Sequence, residues 1–356
     1  MTTGFMSQQI QYMDQAYGLA MKGWGGVSPN PMVGAVLVKS DKVIAEGWHA
    51  FCGGPHAEAM AIALAGVKAK GADLYVTLEP CSHFGRTPPC TQAIIDAGIK
   101  RVFVGVLDPN KKMNGKSIAL LHKAGIDVKV GFLETELNAL NEAFNKYITT
   151  HTPFVTAKIA QTLDGKIASS QGESKWITSR SSRDHAHEMR YGYDAILVGI
   201  NTVLKDDPFL NSVPRKDIKK IVLDTHLKMP AKGNIYTKTR SEDILIFTAA
   251  KKSSKLRATV IQAPLKDGKI DLKWVLQYLG KMEVVNMLIE GGSKVIGNAL
   301  SLGLVDRMVI YVAPKIMGEG LDAIAGMGTK DIGKILKLKD IQVGKIDDDL
   351  LIEGYI

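Results

Sequence analysis

One histidine, one glutamate and two cysteines stand in an order that could do metal chemistry: His56, Ala57, Glu58, then Pro80 and Cys81, then Cys90. An imidazole and two thiolates make a three-ligand zinc set with the fourth position open for water, the arrangement of a catalytic zinc site. Glu58 lies two residues beyond His56, so it can face that water without being a ligand. A carboxylate there can take a proton from the water and pass it to a leaving amine. Cys81 falls in a Pro-containing turn, where exposed backbone N–H groups favour the ionised sulfur. A lone HAE tripeptide is as compatible with a plain helix start, and two cysteines nine positions apart with two buried thiols. It is their order together that points to zinc.

A second constellation lies far downstream. The run VVNMLIEGGSKVIGNAL reads as a buried strand, then Glu290, Gly291 and Gly292, then a helix starting near Ser293. Glycines let a pyrophosphate approach the backbone, and a helix N-terminus offers free N–H groups and a favourable dipole. An ordinary strand-to-helix turn has the same look. No G-x-G-x-x-G fingerprint opens either half, so a Rossmann fold is not supported by motif. No obvious nucleophile is present in this half either, which leaves positioning and electrostatics as its means of catalysis.

These residues need scaffolds. Short apolar runs at Met32 to Val38 and Val43 to Gly47 flank a polar stretch, a hairpin signal. An alanine-rich helix is predicted from about Ala57 to Lys70, a strand at Ala72 to Leu78, a helix near Thr91 to Ala97 and a strand at Arg101 to Val106. A helix near Ser117 to Ala124, a strand at Asp127 to Gly131 and a closing helix over Glu134 to Tyr147 follow, which describes a sheet covered by helices. His151, Thr152 and Pro153 interrupt the pattern, and the boundary is placed near residue 150, giving domains 1–150 and 151–356. The second half alternates again, with strands at Phe154 to Ile159, Ala195 to Gly199, Lys220 to Leu223, Ile244 to Thr248, Val284 to Ile289, Arg307 to Ala313 and Leu350 to Ile356. No internal repeat relates the halves.

At 356 residues, two domains with separate cores are the natural expectation. Apolar residues at 46% and charged residues at 23% suit a globular protein and exclude a disordered or fibrous one. No segment approaches a membrane span, and MTTGFMSQQIQYMDQA does not read as a secretion signal, so a cytoplasmic location and no membrane partner are expected. Three cysteines cannot build a disulfide framework. The net charge of +9 favours anionic partners, yet the basic residues are scattered in short pairs such as Lys219–Lys220 and Lys251–Lys252.

The zinc signature resembles the cytidine-deaminase-like superfamily, H-x-E followed by P-C-x-x-C. Here eight residues separate the cysteines, in PCSHFGRTPPC, and that spacing is similar to one branch, the bifunctional riboflavin-biosynthesis deaminase-reductases. SPNPMVGAVLV, GWH, GGPHAE, TLEPCSHFGRTPPC and DPN resemble that branch too, as do KIAQTLDGKIA, GESKWIT, VGINTVLKDDPFL, LDT and YVAPKIMG in the second half. The resemblance covers nearly the whole chain. It implies a three-layer α/β deaminase domain followed by a dihydrofolate-reductase-like α/β domain, with Zn2+ and NADPH as cofactors.

By residue, the resemblance makes His56, Cys81 and Cys90 the zinc ligands and Glu58 the proton shuttle, and it puts Asn30 and His49 at the pyrimidine site. Cys52 matches no ligand position, and His83 could either bind substrate or brace its loop. Ala160, Trp176, Thr202, Asp206 and Thr225, with Gly292, Ser293, Lys294, Val295, Ile296, Gly297 and Asn298, are implied against the dinucleotide. Ser174, Arg190, Leu210 and Glu290 are implied against the sugar phosphate, and Lys158 joins them because an ammonium can hold a hydroxyl or phosphate. The family usually carries an arginine shortly after DDPxL; here Val213 stands in its place and Arg215 comes late as the candidate phosphate contact.

The implied reactions are consecutive: hydrolytic loss of ammonia from 2,5-diamino-6-ribosylamino-4(3H)-pyrimidinone 5′-phosphate, then reduction of the ribosyl group to a ribityl chain. A phosphorylated small molecule suits a basic protein, and the family suggests a homo-oligomer. An RNA-editing deaminase would need a contiguous basic face with stacking aromatics, whereas aromatic residues are only 6% and no dense basic tract exists, so no nucleic-acid partner is expected. A non-catalytic zinc scaffold would leave Glu58 as a mere helix-start carboxylate.

Overall fold

The computed structural model describes residues 2–83, 89–111, 113–251 and 255–356, with side chains from Ser7 onward. The middle of PCSHFGRTPPC, residues 84–88, and Lys252 of the Lys251–Lys252 pair lie outside the described residues. The chain divides into two compact units, Met1–His151 and Thr152–Ile356.

The first unit runs α1 (Thr2–Met21), β1 (Gly34–Lys39), β2 (Lys42–Trp48), α2 (Ala57–Ala65), β3 (Asp73–Leu78), α3 (Cys90–Asp96), β4 (Arg101–Val106), α4 (Lys116–Lys123), β5 (Asp127–Val130), α5 (Glu134–Leu140) and α6 (Glu142–Thr150). Its five strands lie in the order β2-β1-β3-β4-β5. β1 is antiparallel to β2 and β3, while β3, β4 and β5 are parallel.

The period of two along each strand makes two cores. Leu37, Leu74, Val76, Val102 and Val104 pack with Ala57, Ala61 and Ala65 of α2 on one face. Val36, Val38, Tyr75 and Phe103 pack with Met13, Ala16 and Leu19 of α1 on the other. The result is three layers, helix, sheet and helix. The alanines and Gly47 let α2 ride close to the sheet: a Cβ on Gly47 would stand 2.2 Å from the Ala57 carbonyl oxygen.

Three expectations change. The twenty-residue α1 was not foreseen. The alanine-rich helix stops at Ala65, with a 3-10 turn over Gly66–Ala69 in place of a helix to Lys70. The closing helix breaks into α5 and α6 at Asn141, whose side chain accepts from Met32 N–H at 2.8 Å and donates to its carbonyl at 2.9 Å. An asparagine side chain bonded to distant backbone competes with the helix ladder at that point.

The second unit runs β6 (Phe154–Thr162), β7 (Lys166–Ser169), α7 (Arg180–Met189), β8 (Ala195–Gly199), α8 (Ile200–Asp206), β9 (Lys219–Leu223), β10 (Ile244–Thr248), β11 (Thr259–Gln262), β12 (Leu265–Lys266), β13 (Lys269–Ile270), α9 (Leu272–Lys281), β14 (Asn286–Gly291), α10 (Ser293–Ser301), β15 (Arg307–Ala313), β16 (Gly320–Asp322), β17 (Lys339–Ile346) and β18 (Asp349–Tyr355). Nine strands form one sheet, β11-β10-β9-β8-β14-β6-β15-β18-β17. It is parallel from β11 to β15 and antiparallel at β18 and β17.

The last apolar run is thus one arm of a hairpin, and its partner β17 is a fully paired strand only on one side. Buried on both faces, the central strands read as continuous apolar runs, as parallel strands do. Leu197, Ile221, Phe247 and Met287 face one core; Ile196, Val198, Val222 and Leu288 face the other.

Candidate active sites

His56 caps the N-terminus of α2 in an extended conformation, Cys81 lies in the loop after β3, and Cys90 opens α3. Residues 25 and 34 positions apart in the chain are thereby brought together. His56 Nδ1 is 3.6 Å from Cys81 Sγ and 3.2 Å from Cys90 Sγ, and the three ligand atoms lie within 4.8 Å of one another. Zinc bonds of about 2.0 Å to nitrogen and about 2.3 Å to sulfur in a tetrahedron give an N-to-S edge of about 3.6 Å, so the donor set fits zinc. The Cys90 N–H donates to Cys81 Sγ at 3.3 Å. The Cys90 and His56 hydrogen bonds hold the Cys81 thiol well below its ordinary range, toward the thiolate a metal needs.

Glu58, 3% exposed on the first turn of α2, lies within electrostatic reach of Cys81 and His56. Burial, and then the charge on Cys81, push its carboxyl up to about 7, where a carboxyl group can both accept and release a proton near neutrality. Among the described residues only three protein ligands gather here, the count of a catalytic and not a structural zinc site. His49 packs its ring edge-on to His56 at 5.3 Å; its Nδ1 donates to the Pro55 carbonyl and its Nε2 accepts from the Asn30 amide, both at 3.0 Å. His49 therefore stands beside His56, and Asn30 beside His49. Cys52 is not part of the ligand cluster.

In the second unit, one cleft of about 770 Å³ lies across the sheet. It is lined by Lys158, Ala160, Ser174, Trp176, Arg190, Thr202, Asp206, Leu210, Thr225, Glu290, Gly292, Ser293, Lys294, Val295, Ile296 and Asn298, sixteen of the seventeen residues expected in the reductase half. Gly297 is the exception. It lies within α10 on its buried face, where a Cβ would stand 2.1 Å from the Ala325 carbonyl oxygen, so it serves packing and not the cleft wall.

Gly292 turns the chain at φ 84° and ψ 98°, a conformation that glycine adopts freely, and α10 starts at the next residue. Lys175, Arg183, Lys205, Lys269 and Lys294 border the cleft against the carboxylates of Asp206 and Glu290, the latter already paired with Arg190. A glycine turn, a helix N-terminus and an excess of cations fit a phosphate-rich dinucleotide. Elsewhere on the cleft wall, Arg190 Nε and Nη2 grip Glu290, and Arg190 Nη1 donates to the Asn211 carbonyl at 2.9 Å. Lys158 is half-buried nearby, with its Nζ 5.9 Å above the Tyr311 ring, and desolvation lowers its pKa.

The family profile described as the RibD C-terminal domain matches residues 153–352, and that of the cytidine and deoxycytidylate deaminase zinc-binding region matches residues 6–106. A riboflavin biosynthesis protein RibD of Aquifex aeolicus is 47% identical over 345 residues, covering 96% of each chain. The chain belongs to the RibD family. The Escherichia coli RibD is 36% identical, with 94% of this chain and 96% of that one covered. Among solved structures, an Acinetobacter baumannii RibD superposes at a TM-score of 0.91 with 35% identity, covering 98% of this chain and 99% of that chain. A Thermotoga maritima diaminohydroxyphosphoribosylaminopyrimidine deaminase/5-amino-6-(5-phosphoribosylamino)uracil reductase superposes at 0.89 with 39% identity and the same coverage.

Like other RibD proteins, the chain is a bifunctional riboflavin-biosynthesis enzyme, a zinc-dependent deaminase and an NADPH-dependent reductase, and no described helix is long and apolar enough to cross a membrane. Two positions in this RibD chain gave no signal in the sequence. Lys220 is 2% exposed and its Nζ shares its three protons among four acceptors, the Phe209 carbonyl (2.5 Å), Asn211 Oδ1 (2.9 Å), the Ile235 carbonyl (3.1 Å) and Thr239 Oγ1 (2.7 Å), which pins the 209–211 segment carrying Leu210. Glu79, just before Pro80 and Cys81, is buried among backbone donors from the β4–α4 loop. Arg215 corrects an expectation: its guanidinium donates to the Lys238 carbonyl, and neither it nor Val213 lines the cleft.

Proposed function

We propose that the first unit deaminates 2,5-diamino-6-ribosylamino-4(3H)-pyrimidinone 5′-phosphate and that the second reduces the ribosyl group of the product to a ribityl chain. The observation that carries this reading is the buried Glu58 carboxyl placed against a His56, Cys81 and Cys90 cluster of zinc-binding size. His56, Cys81 and Cys90 would hold zinc, which would supply Lewis acidity near neutral pH. Glu58 would accept a proton on its carboxylate and release it to the departing amine. His49, fixed as the tautomer that donates to Pro55, and Asn30 orient the pyrimidine beside them.

In the second cleft, NADPH supplies the hydride. Gly292 to Ile296 and Asn298 take the dinucleotide with Ala160, Trp176, Thr202, Asp206 and Thr225. Lys158, Ser174, Arg190, Leu210 and Glu290 take the sugar phosphate. Arg190 and Glu290 neutralise each other, so this pair orients hydroxyls, and the surrounding lysines answer the phosphate charge.

A homo-oligomer in the cytoplasm completes the proposal. The outer edge of β17 and the exposed Ile332, Ile335, Ile341 and Val343 near it offer apolar surface of the kind that second copies cover. The direct test is ammonia release from the pyrimidine phosphate by the zinc-loaded chain with no nicotinamide present. Turnover supports the reading, and a zinc-loaded chain inert to that substrate contradicts it.

A further inference from the structure

Glu79 occupies a position that neither the zinc chemistry nor the hydride transfer uses. It follows the last residue of β3 and precedes Pro80 and Cys81, and its own N–H donates to the Val106 carbonyl at the end of β4 at 2.9 Å. The side chain is 4% exposed. One carboxylate oxygen accepts from the Asp108 N–H at 3.1 Å and the Gly115 N–H at 3.0 Å. The other accepts from the Ser117 N–H at 3.2 Å and the Ser117 hydroxyl at 2.6 Å. Four donors from residues 29 to 38 positions downstream therefore converge on one buried carboxylate.

Those donors are the two ends of a single loop. Asp108 opens it, Gly115 and Ser117 close it into α4, and Asp108 Oδ1 turns it further by accepting from the Asn110 N–H at 2.8 Å. The loop leaves the end of β4, the parallel neighbour of β3, and the Glu79 N–H ties the two strand ends together, so its start stands beside the turn that carries Cys81. A buried carboxylate needs such donors, and a loop without them would lose its fixed place relative to the strand end. The Cys81 turn and the Asp108 to Asn110 segment thus hang from the same residue.

We infer that Glu79 is a positioning residue of the deaminase, whose carboxylate sets the spacing between the metal-ligand turn at Cys81 and the polar wall at Asp108 to Asn110 that confronts the substrate. It touches neither substrate nor metal. Its loss therefore acts through the placement of the wall, on substrate capture more than on the bond-breaking step. The inference rests on the deaminase reading of this pocket.

The chain contains its own control, because the reductase lies in the other unit. Glu79→Gln keeps the volume and puts an NH2 group against N–H donors. The expected result is a rise of about tenfold or more in the deaminase KM, with kcat within about threefold of the parent, zinc still bound at one per chain, and reductase turnover unchanged. A Glu79→Gln chain with the parent's KM overturns the inference, as does one that loses zinc or reductase activity in parallel with deamination, which marks general unfolding. If that variant does not fold, Ser117→Ala decides: a raised KM at unchanged kcat supports the inference, and parent-like kinetics overturn it. Inactivity of the parent chain on the pyrimidine phosphate would instead count against the substrate reading.

Discussion

Arg190 and Glu290, 100 positions apart in the chain, meet as a two-pronged ion pair at the wall of the reductase cleft, Nε to Oε1 at 2.7 Å and Nη2 to Oε2 at 2.6 Å. Both side chains are nearly sealed from solvent. Burial alone would raise the Glu290 carboxyl, but the charges of Arg190 and Lys158 pull it from 4.5 down to about 2. A depressed carboxylate contributes stability that is complete above its unfolded value and fades as pH falls toward its folded value.

Glu290→Gln should therefore destabilise the second unit by about 3 kcal/mol at pH 7, since it leaves the Arg190 charge without its buried partner. The gap between parent and variant should shrink as pH drops from 4.5 toward 2. Urea midpoints of the second unit, recorded at several pH values, check this. A gap independent of pH would contradict it.

Replacing Glu58 by Gln removes the group that carries the proton while keeping its size. Ammonia release should fall by about 10³-fold, within the range that general acid–base catalysis contributes. Zinc, held by His56, Cys81 and Cys90, should remain at one per chain by elemental analysis. Deamination at the parent rate would show that another group carries the proton.

Chelation of the metal should separate the two activities. Ammonia release should drop below about a hundredth of the parent rate and return when Zn2+ is added back, because water activation at neutral pH depends on the ion. NADPH oxidation with the deaminated substrate should continue at an unchanged rate. Equal loss of both would mean that the metal also supports the second unit.

Gly292 tests the dinucleotide cradle. At φ 84° and ψ 98° a side chain is strained, and a Cβ would press on Val295 Cγ2 at 3.2 Å. Strain of about 1–3 kcal/mol at this turn should weaken NADP+ binding by roughly tenfold or more in Gly292→Ala. Calorimetric titration measures it, and an unchanged Kd would place the pyrophosphate elsewhere.

What could be read from the sequence divides along the range of the interactions. His56 and Glu58 lie two residues apart at a helix start, and Cys81 and Cys90 bracket one loop, so local order revealed them. The strand-turn-helix around Gly292 was legible for the same reason, since glycines and a following apolar helix are neighbours. Glu79 and Lys220 gave no such signal, because their roles consist of bonds to segments 9 to 38 residues away. Asn141 broke a predicted helix through Met32, 109 positions earlier. Arg215 looked like a phosphate contact by proximity to DDPFL, and only the bond to Lys238 shows where its guanidinium goes. The first helix escaped notice because its opening turn carries no acidic residue and its last turn no basic one.

The most direct measurement of the account as a whole follows both products in one sample. Zinc-loaded chain and the diaminopyrimidinone ribosyl phosphate are mixed without nicotinamide, ammonia is followed to completion, and NADPH is then added. The account predicts full ammonia release before any NADPH is present, then oxidation of one NADPH for each ammonia released. NADPH oxidation that outruns deamination, or no ammonia until NADPH arrives, would contradict the assignment of the two chemistries to separate and successive sites.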